Sequence, residues 1–188
     1  MQVALRERVV GGDASAETLL VVEHDPVVTL GRRGDVDALL VPEDELRRAG
    51  IALHTASRGG EATYHGPGQL VAYAVMALRR GVVAHVEALA RAAIRAAAHV
   101  GVAARFDRAR PGVWVEERKL ASIGVHVHRR VTMHGIALNV GDDALVGFER
   151  IVPCGMTGVT MTSLEREAGR KVDVRDVFTA ALLDELSR

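Results

Sequence analysis

Short apolar runs rich in β-branched residues recur through the first part of the chain, separated by glycine, proline or charged residues. They cover residues 18–23, 27–30, 51–56 and 70–76. Runs of this length and composition are typical of buried β-strands. The glycine-rich segment 59–68 interrupts the pattern before the last run, so a shaped loop is predicted there.

Helix signals occupy several of the remaining segments. Residues 82–100 are apolar almost all round and rich in alanine, which predicts a buried helix packed closely against a sheet. Pro42, followed by acidic residues, predicts the start of a short helix. A capping-box pattern at Thr162 and a stop at Gly169 delimit another helix, and Asp173 is predicted to cap a last amphipathic one.

Strand-like segments follow the long helix at residues 112–115, 120–128 and 131–140 with only short turns between them, which predicts an antiparallel meander. Helices and strands intermingle without a regular βαβ alternation. The predicted fold class is therefore α+β with α/β character, a mixed and largely antiparallel sheet with packed helices. The length of 188 residues suits a single domain, residues 1–188.

Charge and composition exclude several classes of function. The 24 basic and 24 acidic side chains balance, which argues against wholesale binding to nucleic acid or to an anionic membrane. No apolar run approaches the ~18–20 residues that span a bilayer, and the first residues lack the apolar stretch of a signal peptide. With one cysteine and no export signal, we expect a cytoplasmic protein.

The single cysteine, Cys154, is either a small buried apolar residue or a reactive thiol. Lys119 begins a predicted strand, and the small and apolar residues after it would let its stem lie against a pocket. An ammonium group close to a thiol favours the thiolate, so the pair could form a nucleophile. Sequence spacing does not show whether the two residues meet.

Glycine-rich backbone and histidines supply further candidates. The segment 58–69 matches neither a Walker-type phosphate loop nor a dinucleotide fingerprint, but its glycines would let backbone N–H groups approach a ligand. His65 and His134 could each be a base for the cysteine or a hydrogen-bonding wall of a pocket. His126 and His128 could face a metal together, but no third ligand stands at a suggestive spacing, so a surface pair is favoured and no metal is predicted.

Taken together, the motifs resemble those of the lipoyl (octanoyl) transferase family over most of the chain and in the same order. The motifs that carry the resemblance are RGGEATYHGPGQ at 58–69, KLASIG at 119–124, HGIALNV at 134–140 and PCG at 153–155. Shorter matches lie at 19–24, 29–35, 112–115 and 161–164. Leu120 stands where isoleucine is common in the family, and the short N-terminal segment leaves open whether an early helix is missing.

The resemblance implies the catalytic-domain fold of biotin- and lipoate-protein ligases, over residues 1–188 as one octanoyltransferase catalytic domain. It implies that Cys154 is the acyl-thioester nucleophile and that Lys119 favours its thiolate. It also implies a set of substrate-binding residues. These are Arg58, Gly59, Gly60, Glu61, Ala62, Thr63, Tyr64, His65, Ser122, Ile123, Gly124, Gly135, Ile136 and Ala137.

The implied reaction moves an octanoyl group from octanoyl-acyl carrier protein to a lysine of lipoyl domains, the first step of endogenous protein lipoylation. The implied acceptors are the lipoyl domains of 2-oxoacid dehydrogenase complexes and the glycine cleavage H protein. Exchange of one thioester for another, followed by amide formation, requires no ATP, so no cofactor is expected. A monomer is expected.

Three alternatives stay open at this point. An ATP-dependent lipoate- or biotin-protein ligase on the same fold would activate a free acid and would not need Cys154. An amidotransferase would take its acyl group from one lipoyl protein and pass it to another. A catalytically silent acyl-carrier-binding protein would bind without turnover.

Overall fold

Ten strands and five α-helices make up the part of the chain that the computed structural model describes, residues 1–156 and 158–188 without the side chain of Cys154. The strands are β1 Thr18–Val22, β2 Val27–Leu30, β3 Ala52–Thr55, β4 Ala62–His65, β5 Gln69–Val75, β6 Arg105–Asp107, β7 Gly112–Val115, β8 Arg118–His128, β9 Val131–Asn139 and β10 Thr160–Met161. The α-helices are α1 Gln2–Val10, α2 Glu43–Arg48, α3 Val82–His99, α4 Leu164–Ala168 and α5 Arg175–Ser187. Short 3₁₀ helices cover Ala14–Ala16, Val36–Ala38, Asp142–Arg150 and Pro153–Gly155.

The strands form two sheets. The larger has the order β1-β5-β9-β8-β7-β6, with every neighbouring pair antiparallel, and β10 pairs with β8 in parallel. The smaller has the order β3-β2-β4, with β2 parallel to β3 and antiparallel to β4. The predicted mixed, largely antiparallel sheet is confirmed, and the predicted meander is formed by β7, β8 and β9.

Helices α3 and α5 cover one face of the large sheet. Leu70 and Ala72 on β5 join a core cluster with buried alanines of α3 and with Phe178 of α5. Because alanine side chains are small, α3 packs closely on the strands, as its composition predicted. The residues that alternate with Leu70 and Ala72 point to the opposite face of the sheet, where Val71 and Tyr73 line a cavity.

Three strands and one helix differ from the sequence-based expectations, and two of the strands, β6 and β10, have no predicted counterpart. The segment predicted as a loop between Gly59 and Gly68 contains β4, because its four strand residues are hidden among glycines and pair with β2 rather than with a sequence neighbour. Helix α1 was not predicted, since its apolar positions form no clear stripe and it buries only Val9 among its residues.

The C-terminal helices begin near the predicted caps. Ser163, rather than Thr162, is the N-cap of α4, and its hydroxyl accepts a hydrogen bond from the N–H of Arg166 at 3.2 Å. Gly169 ends this helix with a left-handed φ of 66°. None of the described helices is both long enough and apolar enough to span a bilayer.

Candidate functional site

A cavity of about 140 Å³ lies between the large sheet and the small sheet, on the side opposite α3 and α5. Residues from three separated segments of the sequence meet in its walls. The predicted substrate-binding residues that line it are Arg58, Gly59, Gly60, Thr63, His65, Ser122, Ile123, Gly124, Gly135, Ile136 and Ala137. The sequence motifs of the resemblance therefore converge on one site.

Three residues predicted for substrate binding do not line this cavity, two of them because side chains alternate along β4. Ala62 and Tyr64 point into a second core cluster, where the Tyr64 ring meets Phe148 edge-on at 5.7 Å between centroids. Glu61 turns its carboxylate towards the backbone of Gly155. Alternation thus divides the motif between the cavity and the core that supports it.

Arg58 ties the glycine-rich loop to the small sheet. Its guanidinium donates to the carbonyl oxygen of Thr29 at 2.5 Å and to the Thr29 hydroxyl at 2.7 Å, and the residue is only 9% exposed. The loop also lies directly on β8, where the N–H of Gly59 bonds to the carbonyl of Val125 at 3.0 Å. A Cβ on Gly124 would stand 3.1 Å from the Gly59 carbonyl, so a glycine there allows this close approach.

Lys119 reaches the cavity face of the large sheet because of a β-bulge. Strand β8 pairs Ala121 with Val113 and Lys119 with Trp114, which leaves Leu120 as an extra residue. Leu120 and Ala121 both pack into the core with α3. The bulge therefore shifts the alternation by one position and turns Lys119 to the face that Ser122 shares.

The Lys119 side chain is 1% exposed and runs across β7. A Cβ on Gly112 would stand 2.7 Å from the Lys119 Cε, so the stem needs a glycine beneath it. The Nζ atom lies 5.6 Å from the centroid of the Trp114 ring, and the guanidinium of Arg110 lies 4.4 Å from the same ring. The indole is itself held by a hydrogen bond from Nε1 to the Arg110 carbonyl at 3.0 Å.

The backbone of Cys154 belongs to the 3₁₀ turn Pro153–Gly155, which packs against β4. Gly155 has a φ of 66°, and a Cβ there would overlap the carboxylate of Glu61, so both backbone conformation and space call for glycine. The side chain of Cys154 lies outside the described part of the chain. The contact between its sulfur and the Lys119 nitrogen therefore stays a prediction.

A row of buried polar groups connects the cavity to the strand of Lys119. His65 Nδ1 lies 2.7 Å from Gln69 Oε1, and Gln69 Nε2 donates to Asn139 Oδ1 at 2.8 Å. Asn139 Nδ2 donates to the Thr162 carbonyl at 3.0 Å, and the Thr162 N–H donates to the Lys119 carbonyl at 3.0 Å. The row holds four elements of the site in fixed register.

The histidines around the cavity are neutral at pH 7. Burial lowers the pKa of His65 to about 4, although its hydrogen bond to Gln69 opposes the shift. Burial, aided by the positive charge of Arg58, also lowers the pKa of His134 to about 4. His24 has its pKa lowered mainly by burial, and its Nε2 lies 2.6 Å from the Tyr73 hydroxyl.

Several residues of the cavity wall were not predicted. They are Gln2, Thr29, Ala56, Val71 and Tyr73. Thr29 begins the short match at 29–35, but the other four come from segments that the motifs do not mark, so no local signal could have identified them. Gln2 is brought to the site by α1, where its Oε1 accepts a hydrogen bond from the backbone N–H of His134 at 2.8 Å.

His126 and His128 lie on β8 outside the walls of the cavity. Among the described residues, the structure contains no group of three or more histidine, cysteine, aspartate or glutamate side chains that could hold a metal ion.

Comparisons with known proteins agree with the resemblance in the sequence. The family model of the lipoyl protein ligase A/B catalytic domain matches residues 1–187. An octanoyltransferase from Solibacter usitatus is 51% identical, over 76% of this chain and 66% of that protein. An octanoyltransferase from Geobacter sulfurreducens is 46% identical, over 94% of this chain and 74% of that protein.

Solved structures share the fold at low sequence identity. A putative lipoate protein ligase from T. acidophilum with bound lipoic acid superposes with a TM-score of 0.72 and 18% identity, over 99% of this chain and 79% of that one. A mutant biotin protein ligase from Aquifex aeolicus in complex with biotin gives a TM-score of 0.50 and 14% identity, over 85% of this chain and 70% of that one. The predicted ligase-like fold is confirmed. The chain belongs to the lipoyl protein ligase A/B catalytic-domain family and, within it, to the octanoyltransferases.

Proposed function

We propose that this protein transfers an octanoyl group from octanoyl-acyl carrier protein to a lysine of lipoyl domains, through an acyl-thioester on Cys154. Lipoyl domains of 2-oxoacid dehydrogenase complexes and the glycine cleavage H protein are the proposed acceptors, and the cytoplasm is the proposed compartment. The proposal is supported by relatives named octanoyltransferase at 46% and 51% identity. The observation that carries it is the placement of Lys119.

A lysine that is 1% exposed is unusual, because burial of an ammonium group is costly unless other groups stabilise it. The bulge at Leu120 turns this lysine to the cavity face, and Gly112 leaves room for its stem. Such an arrangement is expected where the charge has a chemical task. We propose that the task of the Lys119 charge is to stabilise the Cys154 thiolate.

In the first half-reaction, the Cys154 thiolate attacks the carbonyl carbon of the octanoyl thioester. The new carbon–sulfur bond forms as the bond to the carrier's thiol breaks, and the carrier leaves as a thiol. Lys119 as an ammonium group stabilises the attacking thiolate and gives its proton to the carrier sulfur as that sulfur leaves. Backbone N–H groups of the glycine-rich loop or of the Gly155 turn are candidates for stabilising the oxyanion.

In the second half-reaction, the amine of the acceptor lysine attacks the octanoyl-cysteine. Acylation has removed the negative charge of the thiolate, and Lys119 has given its proton to the carrier sulfur. The neutral Lys119 amine can then accept the proton that the attacking amine loses. Conversion of a thioester to an amide is favourable, so the cycle needs no ATP.

The cavity suits the acyl chain. Its wall includes the apolar side chains of Val71 and Ala137 beside glycines that leave space. Each buried methylene contributes roughly 0.8 kcal/mol, so a cavity of this kind would hold a medium-length chain firmly.

The test is the intact mass of the protein after incubation with octanoyl-acyl carrier protein, without ATP. We expect one octanoyl adduct on the wild type and no adduct on Cys154→Ala. Addition of a lipoyl domain should remove the adduct and place the octanoyl group on the domain. Absence of an adduct on the wild type would contradict the proposal.

The same assay separates the alternatives. If octanoylation of the lipoyl domain required free octanoate and ATP, the protein would be a ligase and Cys154 would have no catalytic role. If an octanoylated lipoyl protein, but not the acyl carrier, loaded the enzyme, it would be an amidotransferase. Binding of the acyl carrier without any transfer would identify a silent binding protein.

A further inference from the structure

The donor and the acceptor of each hydrogen bond in the buried polar row can be assigned by starting from the backbone carbonyl of Thr162. The carbonyl oxygen of Thr162 can only accept, so Asn139 must point its Nδ2 towards it. The other side-chain atom of Asn139, Oδ1, then accepts from Gln69. The orientation of the Asn139 amide is therefore fixed by a backbone group.

The amide of Gln69 is oriented in the same way. Its Nε2 donates to Asn139 Oδ1 at 2.8 Å and to the carbonyl oxygen of Tyr64 at 3.3 Å, and both of these atoms are acceptors. Its Oε1 consequently faces His65 Nδ1 at 2.7 Å. Because Oε1 can only accept, the proton of this hydrogen bond resides on His65 Nδ1.

A neutral imidazole carries one proton, so His65 Nε2 holds a free lone pair. His65 lines the cavity, and no hydrogen bond from the described residues reaches Nε2. Burial lowers the pKa of the ring to about 4, which keeps it neutral in the physiological range. The site thus contains a preoriented hydrogen-bond acceptor, His65 Nε2. The proposed mechanism with Cys154 and Lys119 gives this atom no role.

We infer that His65 is a further catalytic residue, whose unprotonated Nε2 accepts a hydrogen bond from the amine of the acceptor lysine and aligns that amine on the acyl-thioester carbon. The inference rests on the proposed octanoyl transfer. Two contacts support the location: the turn that carries Cys154 packs against β4, the strand of His65, and the polar row continues from His65 to the backbone of Lys119.

The step balances without a proton passing through His65. The amine nitrogen forms the carbon–nitrogen bond, the carbon–sulfur bond breaks, and the electron pair of that bond leaves on the sulfur of Cys154. The proton lost by the amine passes to Lys119, which restores the pair of Cys154 thiolate and Lys119 ammonium group. His65 keeps its Nδ1 proton throughout and serves only to hold a second N–H of the amine, so that the nitrogen lone pair points at the carbon.

The test compares the two half-reactions separately in single-turnover experiments. His65→Asn retains an amide that can donate to Gln69 but has no acceptor at the position of Nε2, whereas His65→Gln can place an amide oxygen there. For His65→Asn we expect acylation by octanoyl-acyl carrier protein within about threefold of wild type and transfer to a lipoyl domain slower by about a hundredfold. His65→Gln should recover transfer to within about tenfold of wild type. His128→Asn, the same substitution at an exposed histidine of β8, should change neither step.

Two kinetic outcomes would overturn the inference. The first is transfer by His65→Asn at the wild-type rate. The second is that His65→Asn and His65→Gln each slow acylation and transfer equally, which would indicate a purely structural role. The tautomer is checked without mutation by two-bond ¹H–¹⁵N correlation spectra of the ¹⁵N-labelled protein. A proton on Nε2 of His65 would also overturn it. Failure of the wild type to form an acyl-enzyme would instead refute the proposed function, while the spectra would still report the tautomer.

Discussion

The two faces of the large sheet are built from neighbouring residues but differ in role, since one forms the apolar core and the other borders the cavity. On the helix face, Leu70, Ala72 and Leu138 pack against the alanines of α3 in an apolar core. On the cavity face, one position along the same strands, Val71 and Ala137 border a space that polar and glycine residues share. The side-chain period of two along a strand is enough to separate a stabilising surface from a reactive one.

The cavity face carries groups that a core would exclude. It holds a lysine that is 1% exposed and a histidine that is 8% exposed, and the glutamine and asparagine beside them are each 1% exposed. Burial of the histidine, the glutamine and the asparagine is tolerated because each of them hydrogen-bonds to another member of the polar row. We therefore expect substitutions on the two faces to separate activity from stability.

The largest effect is expected for Lys119→Met. Loss of the ammonium group should slow acylation by octanoyl-acyl carrier protein by about a thousandfold, because the attacking thiolate is no longer stabilised. The melting temperature should hold or rise, since an apolar side chain of similar volume replaces a buried charge. Single-turnover acylation and thermal unfolding measure the two quantities.

The chain contains one other lysine, Lys171, which is exposed and paired with Glu165 at 2.7 Å. Lys171→Met is therefore the matched control and should leave acylation unchanged. Acylation of Lys119→Met at the wild-type rate would remove Lys119 from the mechanism.

On the helix face, Leu89→Ala should show the opposite pattern. Leu89 is fully buried on α3, and its truncation should lower the free energy of unfolding by about 2–5 kcal/mol. Transfer per folded molecule should stay close to wild type, as measured well below the melting temperature. Val83→Ala, at a position 64% exposed on the same helix, should change the unfolding free energy by less than about 0.5 kcal/mol. A large loss of transfer in folded Leu89→Ala would contradict the separation of the two faces.

The smallest effect concerns pH and compares one buried histidine from each region. The pKa is about 4 for His65 at the cavity and for His85 on α3, in both cases mainly through burial. The unfolded chain binds these protons near pH 6.5, so the free energy of unfolding should fall as pH drops from about 6.5 to 4 and level off below that.

Each of the two histidines should contribute up to about 2 kcal/mol of this loss between pH 7 and 5. Chemical denaturation at the two pH values checks the contribution, which His85→Gln and His65→Gln should each remove. Only the cavity variant should alter transfer. Equal pH dependence in wild type and both variants would show that neither histidine is buried in its neutral form.

Much of the fold could be predicted because its signals are local. The alanine-rich segment predicted α3, and β-branched runs predicted β1, β2 and β5 close to their observed bounds. Helix α1 and strand β4 could not be predicted, because neither has a pattern of its own that stands out from its surroundings. Strand β4 exists through its pairing with β2, a contact between segments more than thirty positions apart.

The sequence by itself determined which residue types the site contains: one cysteine, a lysine before a small apolar run, and glycines where the backbone must approach closely. Only the tertiary structure decided how they are used. The bulge at Leu120 selected the face of Lys119, alternation along β4 sent His65 to the cavity and Tyr64 to the core, and the pairing of Gln69 with Asn139 oriented the His65 ring. These choices depend on strand register and on contacts between distant segments, which the spacing of residues along the chain does not encode.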